Sequence, residues 1–179
     1  MQIESFQNEK IKNLSRLITD NRFRKKSGSF VVEGKQENER AVRFGYENLE
    51  FFICESIFEE DFPKGKVTLV SDKIYEKLAY RGTSEGIIGV YKSETKSLEN
   101  FVLTNNCSIS IIEGVEKPGN LGAILRSCEA FGIDALIVTD PKIDFYNPNV
   151  IRSSVGCLFG MNFFQSNNEE LFEFLKGNN

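Results

Sequence analysis

Apolar residues recur along the chain at two periods, and the switches between them mark its elements. Ile11, Leu14, Leu17 and Ile18 repeat at helical spacing and predict a first helix ending near Asp20-Asn21. "SFVVEG" follows as a strand over Ser29–Val32, then a short helix closed by Gly45. Two apolar runs, Leu49–Cys54 and Val67–Val70, read as buried strands. Ser71 stands as the N-cap of a helix over "DKIYEKLA", and "GIIGVYKS" makes a last strand. The order β-α-β-β-α-β with short loops predicts a small α/β sandwich over residues 1–93.

The stretch "SETKSLENFVLTNN" is polar and aperiodic, which predicts a linker over residues 94–106. The pattern restarts in residues 107–179 with "SISII" (Ser108–Ile112) as a buried strand. A Pro118–Gly122 loop leads to a helix over Leu121–Phe131 with Gly132 as its cap, then to the strand "ALIV". Asn147-Pro148 starts a helix over "NVIRSSVGCLFG", "NFF" gives a third short strand, and "NNEELFEFLKGNN" a last helix. Strands alternating with helices imply a parallel sheet, with ligands at the C-terminal strand ends. The fold class is therefore α/β in both halves.

Composition narrows the chemistry. The 179 residues carry a net charge of -4, so any grip on a polyanion must be a local patch rather than bulk charge. The chain has no histidine, which excludes a Ser-His-Asp or Cys-His mechanism within it. Cys54, Cys107, Cys128 and Cys157 are widely spread without a CxxC pair, so no metal site is expected and free thiols in a reducing cytosol are. No apolar run reaches about 18 residues. "MQIESFQNEK" has no apolar signal core, so the expectation is a cytoplasmic protein with no membrane partner.

The most informative stretch is "VEKPGNLGAILRSCEAFGIDALIV". On a helical wheel Leu121, Ile124, Leu125, Cys128 and Phe131 gather on a sheet-facing side. Arg126 lies nearly opposite, among Gly122, Ala123 and Ala130. Small residues admit a close neighbour, so this pattern predicts a second covered face with Arg126 held against an anionic or hydrogen-bonding partner. A surface arginine on an Ala-rich helix is the plain alternative. The Pro118–Gly122 segment brings backbone N–H groups and the Asn120 amide to a helix start, which favours anions. It has neither the GK[ST] ending of a P-loop nor a GxGxxG pattern.

Cations crowd the beginning of the chain. Lys10, Lys12, Arg16, Arg22, Arg24, Lys25 and Lys26 are opposed within their window only by Asp20. They form either a phosphate-contact patch or a solvated helix face followed by a flexible loop.

"EKPGNLGAILRSCEAFGIDALIV" resembles the first signature motif of the SpoU/TrmH-type RNA 2′-O-ribose methyltransferases, in the SPOUT superfamily. "DFYNPNVIRSSVGCLFGMNFF" matches the stretch that follows in that family, with Arg152, Ser153 and Gly156 in place. "NEKIKNLSRL", "RKKSGSFVVEG" and "GTSEGIIGVY" fall in the order of the family's substrate-binding domain, which is similar to ribosomal protein L30e. The resemblance implies a small L30e-like sandwich followed by the first part of a Rossmann-like parallel-sheet SPOUT domain, with the trefoil-knot segment absent.

It further implies methyl transfer from S-adenosylmethionine to a ribose 2′-OH in rRNA or tRNA, by a homodimer, with Arg126 and Asn120 as the catalytic pair. The RNA contacts it implies are Lys10, Lys12, Arg22, Arg24, Lys25, Lys26 and Arg152, with Arg81 and Ser84 in the loop before "EGIIGVY". Glu85 stands where the family commonly has glutamine. The second and third family motifs supply most of the cofactor pocket and are expected downstream of "LFEFLKGNN". No cofactor-binding residue is therefore assigned in this chain, which is expected to be inactive alone. A non-catalytic RNA-binding protein that retains the scaffold is the alternative. The ordered match across both halves sets aside a chance likeness in an unrelated nucleotide-binding protein.

Overall fold

A computed structural model describes residues 2–61, 63–79, 85–104 and 106–178. The chain falls into two units, residues 1–93 with 146–148 and residues 94–145 with 149–179.

In the first unit Asn8 caps helix α1 (Glu9–Thr19), its side chain accepting from the Lys10 amide at 2.9 Å. Ile11, Leu14 and Leu17 form the buried stripe of α1. Asp20 closes α1 and opens a second helix, α2 (Asn21–Ser27), accepting from the amides of Arg22 and Phe23 at 2.8 and 3.1 Å. Gly28 at φ 62° then stops α2. The basic segment is thus helical where a flexible loop was one of the two readings.

Four strands follow: β1 (Ser29–Glu33), β2 (Asn48–Ile53), β3 (Val67–Leu69) and β4 (Ile87–Lys92), with helix α3 (Lys35–Arg43) after β1 and α4 (Asp72–Leu78) after β3. The sheet order is β1-β4-β2-β3, with β4 antiparallel to both neighbours and β3 parallel to β2. Ile11, Leu14, Ile74 and Tyr75 pack with Val31, Phe52 and Ile88. Strand alternation sends Phe30, Phe51 and Tyr91 the other way, where their rings cluster with Tyr46. Buried Asn38 of α3 ties that side together, donating to the carbonyls of Val32 and Gly34 at 3.1 and 2.6 Å and accepting from the Tyr91 hydroxyl at 2.9 Å. Ser71 holds the N-cap position of α4 without a side-chain capping bond.

The second unit is a parallel three-stranded sheet, β5 (Ile109–Glu113), β6 (Ala135–Thr139) and β7 (Asn162–Ser166), in that order. Its helices are α5 (Pro118–Ala130), α6 (Pro148–Ser153), α7 (Cys157–Gly160) and α8 (Asn168–Gly177). Every residue of β6 is buried, as an apolar central strand of a parallel sheet requires. Leu171 of α8 packs with Leu98, Ala135, Ile137 and Phe164, and a capping box of Asn167 and Glu170 fixes the helix start. Leu121 and Leu125 of α5 and Leu158 of α7 are fully buried.

Four expectations need correction here. Strands β3 and β5, expected to be buried, contain no fully buried residue, because each lies at the edge of its sheet. Helix α5 starts at Pro118, three residues before Leu121, because proline at the first helical position costs no hydrogen bond; the supposed loop is the helix's first turn. Phe131 sits at the C-cap and is 83% exposed, off the sheet-facing stripe, because the wheel ends where the helix does. "NVIRSSVGCLFG" forms two helices, separated by Val155 at φ 53° and Gly156 at φ 71°, since a right-handed helix cannot continue through left-handed residues. Among the described residues no helix is long and apolar enough to cross a membrane, and no cluster of three potential metal ligands occurs.

Candidate active site

The segment after β5 is fixed from both sides before it enters α5. Gly114, left-handed at φ 63°, donates its amide to the Thr139 carbonyl at 2.9 Å. The Lys142 amide reaches the Val115 carbonyl at 3.3 Å, and its ammonium pairs with Glu116 at 2.5 Å. Hydrogen bonding to Lys142 holds the Glu116 carboxyl below the usual carboxylate range. Sequence reasoning missed this clasp: Glu116 lies in the quoted motif, but its partner is 26 residues further on.

Helix α6 reaches the first turn of α5 through Ser153. Its hydroxyl donates to the Asn149 carbonyl at 2.6 Å and lies 3.2 Å from the Pro118 carbonyl. Gly122 makes room for it. Arg152, one residue before, is half-buried and donates to the Asn149 side-chain oxygen at 3.2 Å. The α6 residue that the structure seats against the start of α5 is therefore Ser153 rather than Arg152.

Arg126 is exposed and makes no hydrogen bond or ion pair among the described residues. It borders a surface hollow of about 640 Å³ lined by Ala123, Ser127, Glu129, Ala130, Phe131 and Cys157. The cover inferred for this face is supplied only at Gly122, which is buried against Ser153, while Ala123 and Ala130 are exposed among the described residues. Asn120 is exposed as well. Six helical residues put Asn120 and Arg126 about 9 Å apart along the axis and roughly 120° apart around it. The two candidate catalytic residues therefore share a helix without sharing a side of it.

The hollow suits an anion better than a sulfonium cation. A sulfonium would meet the Arg126 guanidinium, with Glu129 the single carboxylate in the lining. The residues present offer an anion one guanidinium and do not by themselves fit S-adenosylmethionine.

The basic residues of the first unit divide sharply. Lys10 is committed to Glu50 at 2.5 Å and Thr68 at 2.9 Å, and Lys66 approaches the same carboxylate at 3.2 Å. Burial alone would raise the Glu50 pKa, but these bonds outweigh it and lower it. Lys12 pairs with Glu9 at 2.9 Å. Arg24, 4% exposed, donates to the carbonyls of Leu17 and Ile18 at 2.9 and 3.3 Å, bracketing the end of α1 rather than facing outward. Arg16 lies 3.8 Å over the Phe23 ring.

Arg22, Lys25 and Lys26 are exposed on α2 without an ion pair among the described residues, and their i, i+3, i+4 spacing gives them one face. Arg81 and Ser84 lie outside the described residues. Glu85 is exposed, its carboxylate accepting from the Lys35 amide at the start of α3.

Fold and site together define a two-part α/β protein whose second part presents an arginine on the helix after its first parallel strand. Residues 108–179 match the SpoU rRNA Methylase family and residues 8–89 the MRM3-like substrate binding domain. The 23S rRNA (guanosine(2553)-2′-O)-methyltransferase RlmP of Bacillus subtilis (strain 168) is 27% identical over 165 residues, covering 88% of this chain and 62% of that protein.

A crystal structure of an RNA 2′-O ribose methyltransferase superposes with a TM-score of 0.84 at 32% identity, over 99% of this chain and 70% of that one. An AdoMet-bound rRNA methyltransferase from Sinorhizobium meliloti shares the fold, with a TM-score of 0.86 at 20% identity over 98% of this chain and 68% of that one. The chain belongs to the SpoU rRNA methylase family. It spans less than two thirds of the Bacillus relative's length.

Proposed function

We propose that this chain is the RNA-binding and arginine-bearing part of a ribose 2′-O-methyltransferase of rRNA or tRNA. The observation that carries this reading is Arg126, an uncommitted guanidinium in a hollow of small residues on α5 of a SpoU-family chain. A ribose hydroxyl is a poor nucleophile at neutral pH, and arginine cannot take its proton. Its planar fork can grip the adjacent phosphate in two places and stabilise negative charge growing on the 2′-oxygen. A nearby cation lowers such a pKa by about 1–3 units, each worth roughly 1.4 kcal/mol.

In this reading residues 1–93 hold the RNA and residues 107–179 begin the catalytic domain, joined by residues 94–106. Arg22, Lys25 and Lys26 take phosphates, and Arg152 adds a further cation on α6. The opposed placement of Asn120 and Arg126, with Phe131 83% exposed between solvent and α5, supports a homodimer. Asn120 of one copy and Arg126 of the other would then serve one nucleotide. Buried free cysteines at positions 54, 128 and 157 suit a cytoplasmic setting.

The methyl donor this chemistry implies is S-adenosylmethionine, which supplies an electrophilic methyl when bound. The Arg126 hollow offers its sulfonium no partner beyond Glu129, so residues 1–179 are expected neither to bind it tightly nor to turn over. Two measurements test the proposal. Calorimetric titration of the 179-residue chain with S-adenosylmethionine should show no micromolar binding, and tight binding overturns that part. Labelled-methyl transfer to rRNA by the complete gene product should be lost in Arg126→Ala. RNA binding without transfer would instead favour the non-catalytic alternative.

A further inference from the structure

Helix α3 ends in a cap that turns one aromatic ring outward. The Gly45 amide bonds the Val42 carbonyl at 3.1 Å and the Tyr46 amide bonds the Ala41 carbonyl at 3.0 Å, with Gly45 at φ 84°. These are the two bonds of a Schellman motif. Ala41 and Tyr46 point inward at 0% and 4% exposure, whereas Phe44 between them is 44% exposed. The cap needs Gly45 and the buried Tyr46; it does not need an aromatic residue at position 44. Val42, also on this end of the helix, is 54% exposed.

Two cations flank the ring. The guanidinium carbons of Arg40 and Arg43 lie 5.7 and 5.8 Å from its centroid. Arg16 stands much closer to the half-buried Phe23, at 3.8 Å, and covers it. Phe44 therefore keeps room for another flat group. The segment "RAVRFG" holds two arginines and no acidic residue, and Arg43 makes no ion pair among the described residues.

The geometry points to a second RNA contact here: Phe44 is a stacking platform for an unpaired base, and Arg40 and Arg43 reach the phosphates on either side of it. Single-stranded RNA offers both a flat π-face and flanking negative charge, which is the pairing that this ring and these guanidinium groups present. An apolar protein partner would bury the Arg43 guanidinium against nothing that answers its charge, and an acidic peptide would leave the ring unused. The inference rests on the RNA reading above but concerns a different surface from α2 and Arg126.

The absence of tryptophan from the chain supplies a direct probe. Phe44→Trp introduces a single indole at the platform, and oligouridylate should quench its fluorescence. Phe172→Trp, at another exposed phenylalanine in the second unit, should show no such quenching. Phe44→Ala should weaken oligouridylate binding about tenfold, the scale of one stacked base, while Phe44→Tyr retains it. Duplex RNA affinity should not respond to Phe44→Ala.

Equal oligouridylate affinity in the wild type and F44A, with unquenched F44W fluorescence, overturns the platform while leaving the RNA reading standing. A wild-type chain that binds neither single-stranded nor duplex RNA overturns both. A dimer that F44A dissociates, with RNA binding untouched, also overturns the platform and makes the patch a self-association surface. Should F44A fail to fold, the quenching of F44W decides.

Discussion

Gly122 and Ser153 stand so close that a methyl group on Gly122 would lie 2.7 Å from the Ser153 backbone carbon. That contact seats α6 against the first turn of α5, and with it sets the position of Arg152 relative to the helix that carries Arg126. Gly122→Ala should destabilise the second unit by about 1–3 kcal/mol, the usual cost of overpacking. Gly119→Ala in the same helix meets nothing within 4 Å. It should be neutral or gain up to about 1 kcal/mol from helix propensity. Urea unfolding followed by circular dichroism separates the two; equal midpoints would contradict this account of the contact.

Arg24 and its neighbours should part company under mutation. Arg24→Met leaves the Leu17 and Ile18 carbonyls without their buried donor and should cost about 2–3 kcal/mol. Arg22 and Lys25 make no ion pair among the described residues, so Arg22→Gln and Lys25→Gln should stay within about 0.5 kcal/mol of the wild type. Denaturation and RNA titration run side by side give the readout. A stable Arg24→Met chain would show that the bracket contributes nothing.

Glu50 makes stability depend on pH with a definite sign. Its carboxyl titrates lower in the folded chain than in the unfolded one: burial works against this, but the bonds from Lys10, Thr68 and Lys66 prevail. Its contribution is therefore present above the unfolded value of about 4.3 and lost as pH falls through the lower folded value. The stability gap between the wild type and Glu50→Gln should be full at neutral pH and shrink in acid below that value. A gap that does not change with acidification would show that Glu50 carries no linked charge.

Arg126→Lys tests geometry apart from charge. Lysine keeps the cation but loses the planar fork, so methyl transfer by the complete gene product should fall well below wild type. A fully active lysine variant would remove the two-point phosphate grip and leave only the charge.

The strand pattern was legible because the strands are short apolar runs, although β3 and β5 at the sheet edges contain no fully buried residue. Helix α2 was half hidden, since six of the seven residues in "NRFRKKS" are Arg, Lys, Asn or Ser and suggest a solvated segment. Asp20 and Gly28, a cap at each end, were the available signals. Pro118 likewise announced the start of α5, but the glycine beside it suggested a loop. No periodicity reveals a valine at φ 53°, so the break between α6 and α7 could not be read.

Within the site, sequence separated Arg126 from its neighbours correctly as the residue opposite the sheet-facing stripe. It did not show that Arg24, chemically identical to Arg22, is spent inside the fold. Burial of a guanidinium depends on which carbonyls the adjoining helix end leaves unpaired, and that is a property of α1 and α2 together.

The most direct measurement is the affinity of the chain for a labelled rRNA hairpin across a salt series, for the wild type, Lys25→Gln/Lys26→Gln and Arg126→Gln. The account predicts a linear fall of log affinity with log salt. The slope should be shallower by about 0.7 for each phosphate contact removed from a single-stranded region. Affinity indifferent to salt, or slopes unmoved by all three substitutions, would contradict it.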